Sequence, residues 1–469
     1  MLSVALSYDD VLMVPKRGLL ASRDQVSLET NLCSSIKLKM PIISSNMDTI
    51  TEDEMAIAMA QMGGLGIIHR YCSIDEQVLM IAKVKRADNF IITDPYTILE
   101  SENVNSAKLL MSKKKIGSLI VLKNQVEVSG MITTRDLYFK DGKDYIKNAM
   151  TPLSHLVCDN PGESMTTYQS IMTRFKIKKL PLLNTDGSLA GLVCIKDIFK
   201  RQQYPNATRD SLGRLMVGGA IGFNDLERAK VLIAYGVDTI VIDVAHGHCT
   251  QMIKNIKEFK MRFPNVPLGV GNVATYEGFL DLAKAGADWI KASVGAGSIC
   301  KTRIITGFGV PGFQTILWCA KCKKDEKYKH VGLVADGGLK NSGDIAKAIG
   351  AGADAVMLGS LLGGTDESPG MPILKDGKKV KIIRGMAGIG ANWDRTNKKN
   401  DKIVPEGVEA FIEYKGSVIP VLEQLMGGLK SAVSYSGTSS LREMRSNVEF
   451  VQQTAFGSRE SNVHDVHKF

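Results

Sequence analysis

Residues 293–303 read "SVGAGSICKTR" and set one thiol, Cys300, on a run of small residues. Gly295, Gly297 and Ser298 precede it, and the Thr302 hydroxyl and the Arg303 cation follow. A cysteine is most often a small apolar filler, and that reading serves the other seven cysteines of the chain. A thiol presented on a flexible glycine loop, beside a hydroxyl and a cation, suits nucleophilic attack. A second constellation lies in "ADGGLKNSGDIAKA": Asp336 ends an apolar run, Gly337 and Gly338 bare the backbone, and a helix is predicted to begin after Ser342. Bare N–H groups and a helix N-terminus hold phosphate, while a carboxylate there accepts from sugar hydroxyls. "VMLGSLLGG" then supplies Gly359 and Ser360. Two successive loops of this kind grip one phosphate in the last quarter of many parallel barrels.

Loops of this kind need strands to present them. Over 1–89 and 203–469, short apolar runs such as "MPIISSN", "GGLGIIH", "DTIVIDVAHG", "VPLGVGN", "ADWIKAS", "VGLVADGG" and "ADAVMLGS" end in small or polar residues. Helical patterns with glycine caps, "DLERAKVLIAYG", "YEGFLDLAKAG" and "SGDIAKAIGAG", intervene. Repeated βα units predict an α/β fold, a (β/α)8 TIM barrel with its chemistry on the loops after the strands. An open doubly wound sheet is the alternative. It would cluster small strand ends at one switch point, whereas here they recur along the chain.

Residues 90–202 hold an internal repeat: "GMITTRD" at Gly130–Asp136 returns as "GLVCIKD" at Gly191–Asp197, 61 residues later. Each copy closes a module that opens on an extended segment before proline, passes through a helical pattern and ends in an apolar strand. The pair resembles tandem CBS modules, named after cystathionine β-synthase, which commonly bind adenine or guanine nucleotides. The resemblance sets Thr133, Asp136 and Asp197 near a regulatory nucleotide such as ATP or GTP. A structural or assembly insert without ligand is the alternative.

Composition narrows the function classes. At 469 residues and 44% hydrophobic, the chain has material for about two or three domains with large cores. No run approaches the roughly 20 apolar residues of a membrane helix, and "MLSVALSYDD" has no basic, cleavable leader. A cytoplasmic address is expected. Eight cysteines scattered through so long a chain are expected to be reduced, and the CxxC of Cys319 and Cys322 lacks the second pair of a zinc site. The net charge of +10 is dispersed, and 6% aromatics without basic interleaving do not make a dedicated nucleic-acid surface. Phosphorylated small molecules suit the charge better.

The motifs "SYDDVLMVPKR", "NMDT", "GNVAT", "GSICKTR", "ADGG", "VMLGS" and "VPEGVEA" together resemble the IMP dehydrogenase and GMP reductase family over nearly the whole chain. The paired insert also sits where that family carries it. The resemblance implies that Cys300 attacks C2 of a bound purine nucleotide, GMP or IMP, while a nicotinamide cofactor gives or takes hydride at that carbon. Thr302 and Glu406 would handle protons. Ser298, Asp336, Gly337, Gly338, Gly359 and Ser360 would hold ribose and phosphate. Ser45, Met47, Arg384, Gly385, Met386 and Gly388 would line the rest of the nucleotide. Asp243, Val244, Ala245 and Asn272 would face the cofactor, and the backbone of Gly295, Gly297 and Cys300 would offer a site for K+. A homotetramer or octamer is the family expectation.

The two branches of the family part at one step. In the dehydrogenases an Arg–Tyr pair on a flap activates the water that hydrolyses the covalent intermediate, whereas reductases expel ammonia and need no such pair. Here Arg395 is followed by Thr396, and no tyrosine lies between Met386 and Glu406. "DVAHG", "NMDT" and "TGFG" lean toward the reductases; the tail "ESNVHDV" and the insert lean toward the dehydrogenases. The expected activity is NADPH-dependent reductive deamination of GMP to IMP and ammonia. Oxidation of IMP to XMP with NAD is the alternative, and a purine-nucleotide sensor without catalysis is an alternative of another class. Two positions depart from the family pattern: Lys301 replaces a small polar residue after the cysteine, and Ile383 replaces an aromatic that offers a phosphate contact.

Overall fold

The computed structural model describes residues 3–88, 90–388 and 405–462, with Lys200 represented by its backbone. The chain divides into two compact units, 1–87 with 206–469 and 88–205.

In the larger unit eight parallel strands close into a ring. They are β1 (Ile42–Ser44), β2 (Leu65–Ile68), β3 (Val217–Ile221), β4 (Thr239–Asp243), β5 (Leu268–Val273), β6 (Trp289–Ala292), β7 (Gly332–Asp336) and β8 (Ala355–Leu358). Closure runs through β8 to β1, with Val356 opposite Ile42, and through β2 to β3, with Gly66 opposite Val217. The runs are apolar because helices cover the ring: every residue of β1, β2, β3, β6 and β8 is buried. Among the described residues eight helices of nine residues or more accompany them: α1 (Asp53–Gln61), α2 (Ile74–Arg86), α3 (Leu226–Ala234), α4 (Thr250–Arg262), α5 (Tyr276–Ala285), α6 (Gly312–Ala320), α7 (Ser342–Gly350) and α8 (Val418–Tyr435). Local chemistry sets their ends. Ser73 and Glu76 form a reciprocal capping box at α2, and the Thr275 side chain caps α5. The helix expected after Ser342 begins at that residue, with Asn341 as its cap. The fold is the (β/α)8 barrel, and closure of the ring excludes the open sheet.

Trp289 is the largest fully buried side chain among the described residues and packs inside the ring with Leu32, Ile43, Ile67, Val334 and Met357. Its indole N–H donates to Thr239 Oγ1 at 3.1 Å. Trp289→Ala removes this filler at the level where several strands meet. It is expected to cost about 3–5 kcal/mol, read as a lowered urea midpoint with an unchanged m-value.

Between β8 and α8 the chain forms a three-stranded antiparallel ribbon of Ile373–Lys375, Lys378–Arg384 and Glu409–Glu413. Arg384 pairs with Glu409, so residues just after the one and just before the other lie side by side. This register returns Glu406 to the barrel mouth.

In the smaller unit the repeat is structural as well. The helix Val104–Lys114 and the strands Ser118–Leu122 and Val128–Thr133 recur 61 residues later as Met165–Arg174, Lys179–Leu183 and Leu189–Cys194. Each module has its own core, one around Val104, Met111 and Ile132 and one around Tyr168, Met172 and Val193. Ile120, Leu122, Val128 and Leu192 pack between them. Asp136 accepts from both the N–H and the hydroxyl of Thr133 at 2.8 Å, and Asp197 lies in the first turn of the helix Ile195–Gln203. Among the described residues no helix is long and apolar enough to cross a membrane.

Candidate active site

The cysteine loop follows β6 and is held more firmly than its glycines suggest. The Cys300 N–H donates to the Gly297 carbonyl at 3.1 Å, Lys301 N–H to the Glu406 carbonyl at 2.6 Å, and Val408 N–H to the Ile299 carbonyl at 3.1 Å. These bonds zip the loop to the returning edge of the ribbon, where Cys300 and Gly407 form a β-bridge. Side chains complete the arrangement: Cys300 Sγ donates to Thr302 Oγ1 at 3.1 Å, and Thr302 Oγ1 donates to Glu406 Oε2 at 2.7 Å. A thiol, a hydroxyl and a carboxylate thus form one continuous hydrogen-bonded chain. Arg303, read from sequence as a cation beside the thiol, turns elsewhere. Its Nη2 donates to the Val310 carbonyl at 2.6 Å, so it staples the turn after the cysteine.

At the centre of the barrel mouth, five polar side chains share one network. Lys291 on β6 has a side chain only 3% exposed. Its Nζ donates to Asp243 Oδ1 at 2.6 Å and Asp336 Oδ2 at 3.2 Å, with Asn46 Oδ1 at 3.5 Å. Asn46 Nδ2 donates to Asp243 at 2.8 Å, and Asn272 Nδ2 to Asp336 at 2.8 Å. Burial opposes ionisation of Asp243, but the Lys291 ammonium and the Asn46 amide outweigh it and hold that carboxyl below the usual range. Burial likewise opposes charge on Lys291, and the two carboxylates overcome it and raise its pKa. Lys291 and Asn46 were missed in the sequence. The signal for Lys291 was its place as the lone charge inside an apolar strand.

The glycine loops converge on the same mouth. Gly337 and Gly338 have φ of +82° and +76°, and a Cβ on either would lie within 3.3 Å of Ala296 or Gly297. The loop after β7 therefore touches the cysteine loop only because both positions are glycine. Gly359 abuts Ser45 and Met47: a Cβ there would stand 3.4 Å from Ser45 Oγ and 3.3 Å from Met47 Sδ. Ser45 Oγ is buried and unpartnered. Gly385 backs onto Gly407, Gly388 N–H donates to the Gly385 carbonyl, and Glu406 N–H donates to the Ala387 carbonyl at 3.0 Å. Tyr71, a residue the sequence did not flag, donates through its hydroxyl to the Met386 carbonyl at 3.0 Å.

Other singled-out residues stand apart from these clusters. Ser298 and Ala245 are exposed, and Val244 N–H donates to the Gly271 carbonyl at 3.0 Å. The Arg384 guanidinium pairs with Asp48, through Nε at 2.7 Å and Nη2 at 2.5 Å. The Ser360 carbonyl accepts from Lys415 at 2.9 Å. Ile383 is buried in the ribbon core, and Arg395 lies outside the described residues. Thr133, Asp136 and Asp197 belong to the smaller unit. Cys319 and Cys322 are buried and donate to the Thr275 and Tyr276 carbonyls at 3.5 and 3.3 Å. Burial pushes the Cys319 thiol up, and that of Cys322 up to about 11. Among the described residues no group of three or more His, Cys, Asp and Glu side chains is placed to hold a metal.

Comparison with known proteins agrees with this geometry. The family model described as "IMP dehydrogenase / GMP reductase domain" matches residues 5–464. The chain is 44% identical to GMP reductase of Leishmania major over 483 residues, covering 99% of this chain and 97% of the relative. It is 42% identical to inosine-5'-monophosphate dehydrogenase of Nitrosopumilus maritimus (strain SCM1) over 472 residues, covering 98% of each. A crystal structure of a cysteine-to-alanine variant of GMP reductase from Trypanosoma brucei, in complex with guanosine 5'-monophosphate, superposes with a TM-score of 0.94 at 42% identity, covering 99% of both chains. GMP reductase from Trypanosoma brucei in complex with guanosine 5'-triphosphate superposes with a TM-score of 0.83 at 37% identity, covering 97% of this chain and 99% of that one. With a closed barrel, a cysteine loop zipped to a glutamate and a family match from end to end, the chain belongs to the IMP dehydrogenase / GMP reductase family of oxidoreductases.

Proposed function

We propose that this protein is a GMP reductase that converts GMP to IMP and ammonia with NADPH as reductant. The observation that carries the choice of branch is the interval between Met386 and Glu406, which holds Arg395 but no tyrosine. Asp336 would accept from the ribose hydroxyls. The bare backbone of Gly337, Gly338 and Gly359, with Ser298 and Ser360, would hold the phosphate. Ser45, whose buried hydroxyl lacks a partner, would line the base with Met47, Gly385, Met386 and Gly388.

Cys300 gives up its proton toward Thr302 and its sulfur bonds to C2 of the purine. Glu406 supplies a proton through Thr302 to the departing amine, so that ammonia leaves and an unsaturated cysteine–purine adduct remains. The cofactor, when bound, supplies the hydride that C2 takes up before sulfur departs with its electron pair. The site residues fit such a cofactor: Asn272 Oδ1 is buried without a partner and offers an acceptor to a carboxamide N–H. Asn272 would hold the nicotinamide together with Asp243, Val244 and Ala245. Carbonyl oxygens of Gly295, Gly297 and Cys300 have the chemistry for K+. We read residues 90–202 as the CBS pair and the flanking segments 1–89 and 203–469 as the catalytic barrel. Thr133, Asp136 and Asp197 would then serve a purine nucleotide; the GTP complex of the Trypanosoma brucei reductase supports that ligand class.

A second reading, oxidation of IMP to XMP, is favoured by Arg395 and by the similar identity to a dehydrogenase. Two parallel assays separate them by nicotinamide absorbance, GMP with NADPH and IMP with NAD plus potassium. Loss of absorbance in the first alone is expected. A gain in the second alone overturns the reductase reading.

A further inference from the structure

Lys291 is bonded to two carboxylates that the proposed function assigns to different ligands. Asp336 belongs to the purine nucleotide's ribose and Asp243 to the nicotinamide, yet one ammonium bridges them at 3.2 and 2.6 Å. The bridge follows from barrel geometry. Asp243, Gly271 and Lys291 stand at one level on neighbouring strands β4, β5 and β6. Lys291 is opposite Val334, so Asp336 lies two residues further along β7 and faces the same side. Gly271 makes the placement feasible, since a Cβ there would meet Lys291 Cβ at 2.7 Å. The lysine side chain is 3% exposed, while the two carboxylates are 19% and 20% exposed. Each carboxylate therefore keeps an edge toward the mouth, and the cation holding both is out of reach of solvent.

We propose that Lys291 is a positioning residue that couples the two ligand sites, so that occupancy of one tightens the other. The inference rests on the reading of Asp336 and Asp243 as ligand contacts. A ribose hydroxyl that donates to Asp336 satisfies part of its charge and weakens its hold on Lys291. The ammonium then leans toward Asp243 and fixes that carboxylate for the second ligand. By linkage the effect is equal in both directions. Asn46 holds the Asp243 oxygen that Lys291 leaves free, and Asn272 shares Asp336 Oδ2 with Lys291, which limits how the two carboxylates turn.

The test is calorimetric titration in the Cys300→Ala background, where neither candidate reaction turns over. The probes are IMP, a ligand under both readings of the reaction, and oxidised NAD or NADP, whichever binds more tightly. With Lys291 present, a saturating dinucleotide is expected to tighten IMP binding about tenfold, and IMP to tighten the dinucleotide by the same factor. With Lys291→Met, both affinities weaken and that factor falls to about one. Because Lys291→Met leaves two neighbouring carboxylates without their cation, a double variant, Lys291→Met with Asp243→Asn, preserves the cluster's net charge and serves if the single change does not fold. Its coupling factor is expected to be about one as well. A coupling factor retained in a folded Lys291→Met or double variant overturns the inference, as does its absence when Lys291 is intact but both ligands bind. Failure of the background protein to bind either ligand overturns the function reading itself, and the inference with it.

Discussion

Cys300→Ala is expected to lower turnover by about 10⁴-fold or more while leaving purine-nucleotide binding in place. The thiol is half-buried on the loop, donates to Thr302, and has no bulk that the core requires. Its removal therefore takes away the bond-forming atom and little else. Five of the other seven thiols are poor substitutes. Cys33, Cys319 and Cys322 are buried, and burial pushes the thiols of Cys72 and Cys194 up to about 11, far from a thiolate at neutral pH. Steady-state kinetics and calorimetric binding of IMP, measured on the same preparation, check the expectation. Retention of more than about a hundredth of the activity shows that another group forms the covalent bond.

Glu406→Gln is expected to lower kcat by about 10²- to 10⁴-fold, with the KM for nucleotide changed by less than about threefold. The glutamine oxygen still accepts from Thr302, so the 2.7 Å contact and the zipped loop survive. What disappears is the ability to release and recover a proton. Thr302→Val cuts the same path in the middle and should behave alike in kcat. If Glu406→Gln instead raises KM and spares kcat, the carboxylate serves binding, and the path from thiol to carboxylate is not the route of the proton. If both variants keep full activity, protons enter from solvent.

Arg303 marks how far loop chemistry can be read from residue types alone. Its place three residues after Cys300 suggested a cation for the thiol, and the structure spends that guanidinium on the Val310 carbonyl instead. Arg384, expected against the nucleotide, also has a protein partner: it forms an ion pair with Asp48 of "NMDT" and ties the ribbon to the loop after β1. In both cases the protein partner comes from a turn or strand whose direction no local pattern reveals. Glu406 entered the reading through family resemblance, since nothing in its spacing from Cys300 signals that the two meet. The ribbon register decides that meeting, through Arg384 opposite Glu409.

By itself the sequence determined the alternation of buried runs and capped helices, the 61-residue repeat and the cysteine on its glycine loop. All three are local properties: a strand's burial, a helix's cap and a module's pattern are each complete within a few tens of residues. Only the tertiary structure decided which side chains share a site. Thr302 reaches Glu406 across 104 positions, Asn46 reaches Asp243 across 197, and Tyr71 reaches Met386 across 315. Lys291 becomes a bridge rather than an isolated buried charge for the same reason. Closing the barrel brings the ends of β4 and β7 within reach of one ammonium, and a closure between distant segments leaves no periodic trace in the residues that it joins.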